Sequence, residues 1–160
     1  MWFRSKIGVL LLAVVSACTQ VTPMEATLSS SSYTSADLDC MAEALYFEAR
    51  GTTYEGERAV GEVILNRAED SRFPATICGV IDQRYNGSCQ FSYRCDSIPN
   101  DQFNEPAELA EMRSISYELL TNRQEDITNG ALFFHAASMV PGWFNTLSKR
   151  GRFGGNIFYR

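Results

Sequence analysis

The sequence predicts an α+β domain, a helical body flanking a small antiparallel sheet. Three observations lead there. Apolar residues recur at helical spacing through the first two thirds of the chain. The last quarter turns to short, aromatic, glycine-bounded stretches that suit strands. The 160 residues supply one core, not two. Helices first and short strands afterwards is the α+β pattern.

The elements follow in chain order. Thr34-Ser35-Ala36-Asp37 has the form of a capping box, and Leu38, Met41, Ala42, Leu45 and Ala49 continue behind it at helical spacing until Gly51 stops the helix. A second helix is predicted over Glu55–Glu69, burying Ala59, Val60, Val63 and Ile64, and Glu43 of the first helix with Glu55, Glu57 and Glu62 of the second is expected on solvated faces. Past Pro74, a short apolar helix is expected around Thr76–Asp82. Asn86-Gly87 signals a turn, followed by a strand-like Cys89–Tyr93. Pro99 and Pro106 bracket a loop before a helix over Glu108–Leu120. The stretches "GALFFHAASMVPGW" and "GGNIFYR" complete the domain as strands.

The start of the chain has a different character. Arg4 and Lys6, the apolar run Ile7–Val15 and the small residues Ser16 and Ala17 have the layout of an export signal, too short for a comfortable bilayer span. Val15-Ser16-Ala17-Cys18 resembles the lipobox of bacterial lipoproteins, which implies cleavage before Cys18 and acylation of its thiol. Thr19 follows in place of an inner-membrane retention aspartate, so the resemblance implies the outer membrane. Residues 1–17 are thus expected to be a signal peptide. Residues 18–32, polar and serine-rich, are expected to form a lipid-anchored flexible tether, and 33–160 the folded domain.

Export places Cys40, Cys78, Cys89 and Cys95 in an oxidising compartment, where an even number argues for two disulfides. Of three connectivities, Cys78–Cys89 with Cys40–Cys95 is expected. A zinc site would need close CxxC pairs or more than the single His135, so no metal or cofactor is expected. A formal charge of −5 and no basic block exclude a nucleic-acid footprint. The one histidine and the lack of GxSxG leave no serine or cysteine triad. His135 alternates with Phe133 on one strand face and is expected to be partly buried and hydrogen-bonded.

Glu48 stands apart. Seven residues after Met41 and three after Leu45, it shares the dry face of its helix. Burial disfavours the ionised carboxyl and can turn a glutamate into a proton donor near neutral pH. Periodicity alone leaves a second reading open, a boundary ion pair with Arg50 or Arg67.

The run "ALYFEARGTTYEGERAVGEVILNR", with "RFPATICGVI", "CQFSYRCD", "GALFFHA" and "GGNIFYR" in order behind it, resembles the cell-wall hydrolase family typified by the spore cortex-lytic enzyme SleB, from about Cys40 to Arg160. The resemblance implies a lysozyme-like domain acting on peptidoglycan glycan strands, with Glu48 of "EAR" as catalytic residue, and the chain is expected to be a monomer. It further implies Gln90, Phe91 and Ser92 of "QFS" and His135 as cleft residues, with Tyr93, Trp143 and Tyr159 either stacking on sugars or packing the core. The chain departs from the family at Thr52, where glutamate is frequent, and at Asn156, where histidine is frequent. A single glutamate suits a lytic transglycosylase. A hydrolytic muramidase would recruit a second carboxylate such as Asp96 or Asp101, and a peptidoglycan-binding lipoprotein without catalysis is the rival outside enzymes.

Overall fold

A computed structural model describes residues 32–99, 102–140 and 142–160. Helix α1 spans Ser35–Glu48 and α2 Tyr54–Glu69; α3 is the short Ile77–Ile81 and α4 covers Pro106–Thr121. Strands β1 (Arg84–Tyr85) and β2 (Ser88–Cys89) form a hairpin; β3 (Phe133–Ala136), β4 (Lys149–Phe153) and β5 (Asn156–Tyr159) form a second sheet. The signal layout, Cys18 and nearly all of the tether lie outside the described residues, as does Asp101.

The capping box is in place. The Asp37 backbone N–H donates to Thr34 Oγ1 at 3.1 Å, and the Thr34 N–H donates to Asp37 Oδ2 at 3.0 Å. From this start α1 buries Leu38, Met41, Ala42, Ala44, Leu45 and Tyr46 against its neighbours. Gly51, at φ +75°, turns the chain into α2, whose N-cap Thr53 accepts from the Gly56 N–H.

Helix α2 is the central element, packed by α1, α3, α4 and β4. This enclosure overturns the expectation that Glu57 and Glu62 are solvated: they are 4 % and 0 % exposed. Periodicity marks one apolar stripe, but a helix covered on several sides buries polar positions too. Glu62 is compensated by Arg123, whose Nε donates to Oε2 at 2.8 Å, and by Arg58 at 3.5 Å. Glu43 is also partly buried and pairs with Arg94 at 2.8 Å; Glu55 alone of the four is exposed, as expected.

The disulfides join Cys40 to Cys78 and Cys89 to Cys95, which corrects both expected pairs. Packing of α1 against α3 brings Cys40 and Cys78 to a Cα separation of 5.4 Å. Cys89 and Cys95 lie 6.0 Å apart across six residues, against roughly 20 Å for an extended segment. That closure also explains why the expected strand Cys89–Tyr93 is absent: only Ser88–Cys89 pairs, and Ser92–Cys95 coils into a 3-10 turn.

The second sheet is antiparallel in the order β3-β5-β4. Strand β4, which the sequence reading did not foresee, is a charged edge, "KRGRF". Lys and Arg there obscure the apolar alternation while discouraging edge-to-edge pairing. Phe134 pairs with Phe158, their rings stacked 5.6 Å apart over the core, so Phe133, His135, Ile157 and Tyr159 share the opposite face. The 3-10 turn Gly142–Thr146 brings Phe144 onto that face, 4.9 Å from His135. Trp143 belongs to this turn, with a side chain outside the described residues.

Candidate active site

Glu48 is the last residue of α1, half-buried at the edge of the core. Burial raises its carboxyl above the ordinary range near 4.5; the Ser92 backbone N–H and the positive charge of Arg67 pull the other way and lose. Its place in the final helical turn adds to the effect, because the C-terminal end of the helix dipole repels negative charge. Among the described residues no second carboxylate acts on Glu48. Arg50, one of the two expected ion-pair partners, turns instead to Glu105 at 2.8 Å and to the Tyr46 carbonyl at 2.8 Å.

Arg67, the other, reaches the site from α2. It is 5 % exposed, and burial pushes its guanidinium down to about 10 while Glu48 holds it up. Its Nε donates to the Leu132 carbonyl at 2.7 Å. The guanidinium carbon lies 5.3 Å from the ring centre of Phe73, 5.7 Å from Phe91 and 5.6 Å from Phe133. Phe91 is 2 % exposed, so it serves this cage from below and does not line a surface.

Phe73 and Phe133 also wall an open cleft of about 290 Å³, with Arg72, Gln83, Tyr85 and Gln90 around them. Tyr85, 67 % exposed, stands beside the tight Asn86-Gly87 turn, both residues at positive φ. Aromatic walls with amide side chains at the rim are suited to saccharides, whose apolar faces stack while their hydroxyl and acetamido groups hydrogen-bond.

The sequence candidates therefore divide. Ser92 supplies its backbone to Glu48, and Gln90 lines the cleft. Tyr93 is 5 % exposed and stacks on Phe47 at 4.6 Å, with its hydroxyl toward Glu43. Tyr159, also 5 % exposed, hydrogen-bonds His135 Nε2 at 3.2 Å. Core packing is thus the observed alternative for both tyrosines. His135 is 7 % exposed with Nδ1 at 2.8 Å from the Ala136 carbonyl oxygen, as its strand position suggested. It shares the sheet face of Phe133, the strand's contribution to the cleft. Asp96 accepts from the Ile98 N–H at 2.9 Å and is exposed.

Sequence reasoning missed Arg67 as a site residue, and Phe73, Gln83, Tyr85 and Phe133 as cleft walls. The signals were Arg67 closing "VILNR" on a dry helix, and Tyr85 beside its turn. The departures from the family are accommodated locally. Thr52 lies against Gly56 and the turn between β4 and β5, and Asn156 opens β5 opposite Ala136.

Comparison with known proteins identifies the family and the fold. The family described as Cell Wall Hydrolase matches residues 51–159, a segment that begins three residues after Glu48. The spore cortex-lytic enzyme of Oceanobacillus iheyensis is 32 % identical over 126 residues, covering 79 % of this chain and 42 % of the relative. That of Halalkalibacterium halodurans is 30 % identical over 134 residues, 84 % and 38 %. The chain thus spans less than half the length of these curated relatives. Two solved structures superpose well: the catalytic domain of the germination-specific lytic transglycosylase SleB from Bacillus anthracis and the catalytic domain of Bacillus cereus SleB. The first has a TM-score of 0.59 at 27 % identity, covering 81 % of this chain and 98 % of that one. The second has 0.61 at 26 %, with 80 % and 92 % covered. With the family matched over most of the chain and the fold shared with its solved members, this chain belongs to the cell wall hydrolase family.

Proposed function

We propose that this chain is a peptidoglycan lytic transglycosylase that cleaves the bond between N-acetylmuramic acid and N-acetylglucosamine. The observation that carries the reading is Glu48 itself: a carboxyl that burial pushes above its ordinary range, joined through the Ser92 backbone to the segment whose Gln90 lines a saccharide-suited cleft, with no second carboxylate among the described residues acting on it. Glu48 gives its proton to the glycosidic oxygen, and the C1–O bond breaks with its electron pair on that oxygen. The carboxylate then takes the proton of the muramic acid C6 hydroxyl as that oxygen bonds to C1. The product is a 1,6-anhydro sugar, no water is consumed, and Glu48 ends protonated as it began. One group serves as acid and base in turn, which removes the need for the carboxylate pair of hydrolytic glycosidases.

Gln90 and the Tyr85, Phe73 and Phe133 rings orient the sugar, and the Ser92 N–H steadies the carboxylate. The layout Ile7–Val15 followed by Ser16-Ala17-Cys18 supports export and acylation at Cys18, which would hold the domain at the periplasmic face of the outer membrane, facing the wall.

Digestion of purified sacculi by the full chain, with mass analysis of the products, tests the proposal. Anhydro-muropeptides are expected, and Glu48→Gln is expected to abolish their release. Reducing ends would make the enzyme a muramidase, and co-sedimentation without cleavage a binding protein.

A further inference from the structure

The aromatic cleft carries a charge that a neutral sugar does not need. Among the described residues that line it, Arg72 is the one ionised side chain; the others are rings and amides, and no carboxylate is present. The chain as a whole is acidic, with a formal charge of −5. A cationic cleft on an acidic protein selects for an anionic ligand.

Arg72 is held in a set orientation. Asp70 caps the C-terminal end of α2, and its carboxylate accepts from the Arg72 backbone N–H at 3.1 Å, from Nε at 2.8 Å and from Nη2 at 2.7 Å. The clamp does not cancel the charge. The Asp70 side chain is 14 % exposed and that of Arg72 62 %, so the carboxylate sits behind and the guanidinium stands forward. Arg160 Nη2 lies 3.7 Å from the same carboxylate, which leaves two cations to one anion. An exposed ion pair adds little to stability; what this one fixes is the direction of the guanidinium plane. Asp70 occupies the Nε–Nη2 edge. Among the described residues Arg72 has no other hydrogen-bond partner, so the Nη1–Nη2 edge remains for a ligand. That edge presents two parallel N–H groups, the geometry that binds a carboxylate bidentately.

We propose that Arg72 is a specificity-determining residue: its open edge binds a carboxylate carried by the muramic acid residue of the glycan, while the sugar stacks on the aromatic walls beside it. The inference rests on the cleft being the glycan site of the proposed reaction. N-acetylglucosamine has no acid group. N-acetylmuramic acid carries one on its lactyl ether, free in a peptide-free strand; where a peptide stem is attached there, the nearest carboxylates are those of the stem. Both sources offer Arg72 the same chemistry. The contact distinguishes the two alternating sugars and so fixes the register in which the strand lies in the cleft.

The test measures initial cleavage rates by the full chain as wild type, Arg72→Gln, Arg72→Lys and Glu48→Gln. The substrates are sacculi, glycan strands stripped of their stems by an amidase, and each of these with its carboxyls converted to methylamides. On the carboxylate-bearing substrates Arg72→Gln raises apparent KM about tenfold with kcat within about twofold, because ground-state binding is what is lost. Arg72→Lys, charged but without the fork, recovers part of that loss. On the methylamides the penalty of Arg72→Gln shrinks to about twofold, and the wild type falls toward the variant. A penalty lost with the stems assigns the contact to a stem carboxylate; one kept on stripped strands assigns it to the lactyl carboxylate. A merely structural role would lower the melting temperature and penalise charged and neutralised substrates alike. An equal penalty on both, or none on either, would overturn the proposal. If Arg72→Gln does not fold, equal wild-type KM on charged and neutralised substrates does so alone. Full activity in Glu48→Gln, or reducing ends among the products, would instead sink the transglycosylase reading and leave the carboxylate comparison intact. Should the wild type cleave nothing, retention of the same preparations on the immobilised chain decides, and equal retention of charged and neutralised strands overturns the proposal.

Discussion

Gly56→Ala probes how the sheet is docked onto the helical body. A Cβ at position 56 would lie 2.5 Å from Gly154 Cα, 3.0 Å from Gly154 N and 2.8 Å from Thr52 Oγ1. Carbon atoms settle at about 3.5–4.0 Å, so the turn between β4 and β5 has to retreat by roughly 1 Å. The obstruction is backbone, which no rotamer change can clear, and overpacking of this kind costs about 1–3 kcal/mol. Alanine returns at most about 1 kcal/mol of helix propensity, and less in a first turn. The net loss is about 1–2 kcal/mol, or about 3–8 °C in melting temperature for a domain of this size. Thermal unfolding followed by circular dichroism reads it directly. Gly61→Ala is the control: its Cβ would meet the rotatable tip of Leu119, so the change should be smaller. A Gly56→Ala protein melting at or above wild type would refute the close-approach argument. Since β5 also pairs with β3, which carries Phe133 and His135, a displaced turn should slow sacculus lysis as well.

Three further outcomes are expected. Burial raises the Glu48 carboxyl, so its contribution to stability is full below the unfolded value near 4.5 and is lost as pH rises through the folded value. Glu48→Gln should therefore gain in melting temperature relative to wild type from pH 4 toward pH 7, and a constant difference would contradict the burial argument. Replacing Cys40 and Cys78 by serine should cost about 4 kcal/mol in urea unfolding, and Cys89 with Cys95 about 2 kcal/mol, from the loop lengths closed. The second pair should nevertheless show the larger loss of activity, because it fixes the segment that brings the Ser92 N–H to Glu48. Non-reducing peptide mapping that returned any other pairing would contradict the fold. Tyr85→Ala should weaken sacculus binding by about 5- to 10-fold, worth about 1 kcal/mol of ring contact, with the melting temperature unchanged; unaltered binding would remove Tyr85 from the cleft.

The helices could be located because their signals are local. A cap at Thr34, an apolar repeat behind it and a glycine stop report on residues within a few positions of one another, and α1, α2, α3 and α4 start and end within two residues of the expected bounds. Glu48 was legible for the same reason: its phase relative to Met41 and Leu45 puts it on the dry face of α1 whatever else surrounds it. The resemblance carried by the chain's motifs, and not periodicity, is what favours an acid over an ion pair.

Everything that depended on a second element was decided by the tertiary structure. Cysteine pairing followed the packing of α1 against α3 and the tight closure around Ser92, neither of which spacing reveals. Glu57 and Glu62 read as solvent-facing until α2 proved to be enclosed on several sides. Tyr93 and Tyr159 were equally apt for sugar or core until Phe47 and His135 covered them, while Tyr85 and Phe73 met at the cleft from separate segments. The sequence by itself determined the fold class, the helices and the place of Glu48 on the dry face of α1, since these are set by neighbours along the chain. Only the folded chain could bring the Ser92 backbone N–H and the charge of Arg67 to bear on Glu48, and three phenylalanines around Arg67, because burial and charge act through space and not along the sequence.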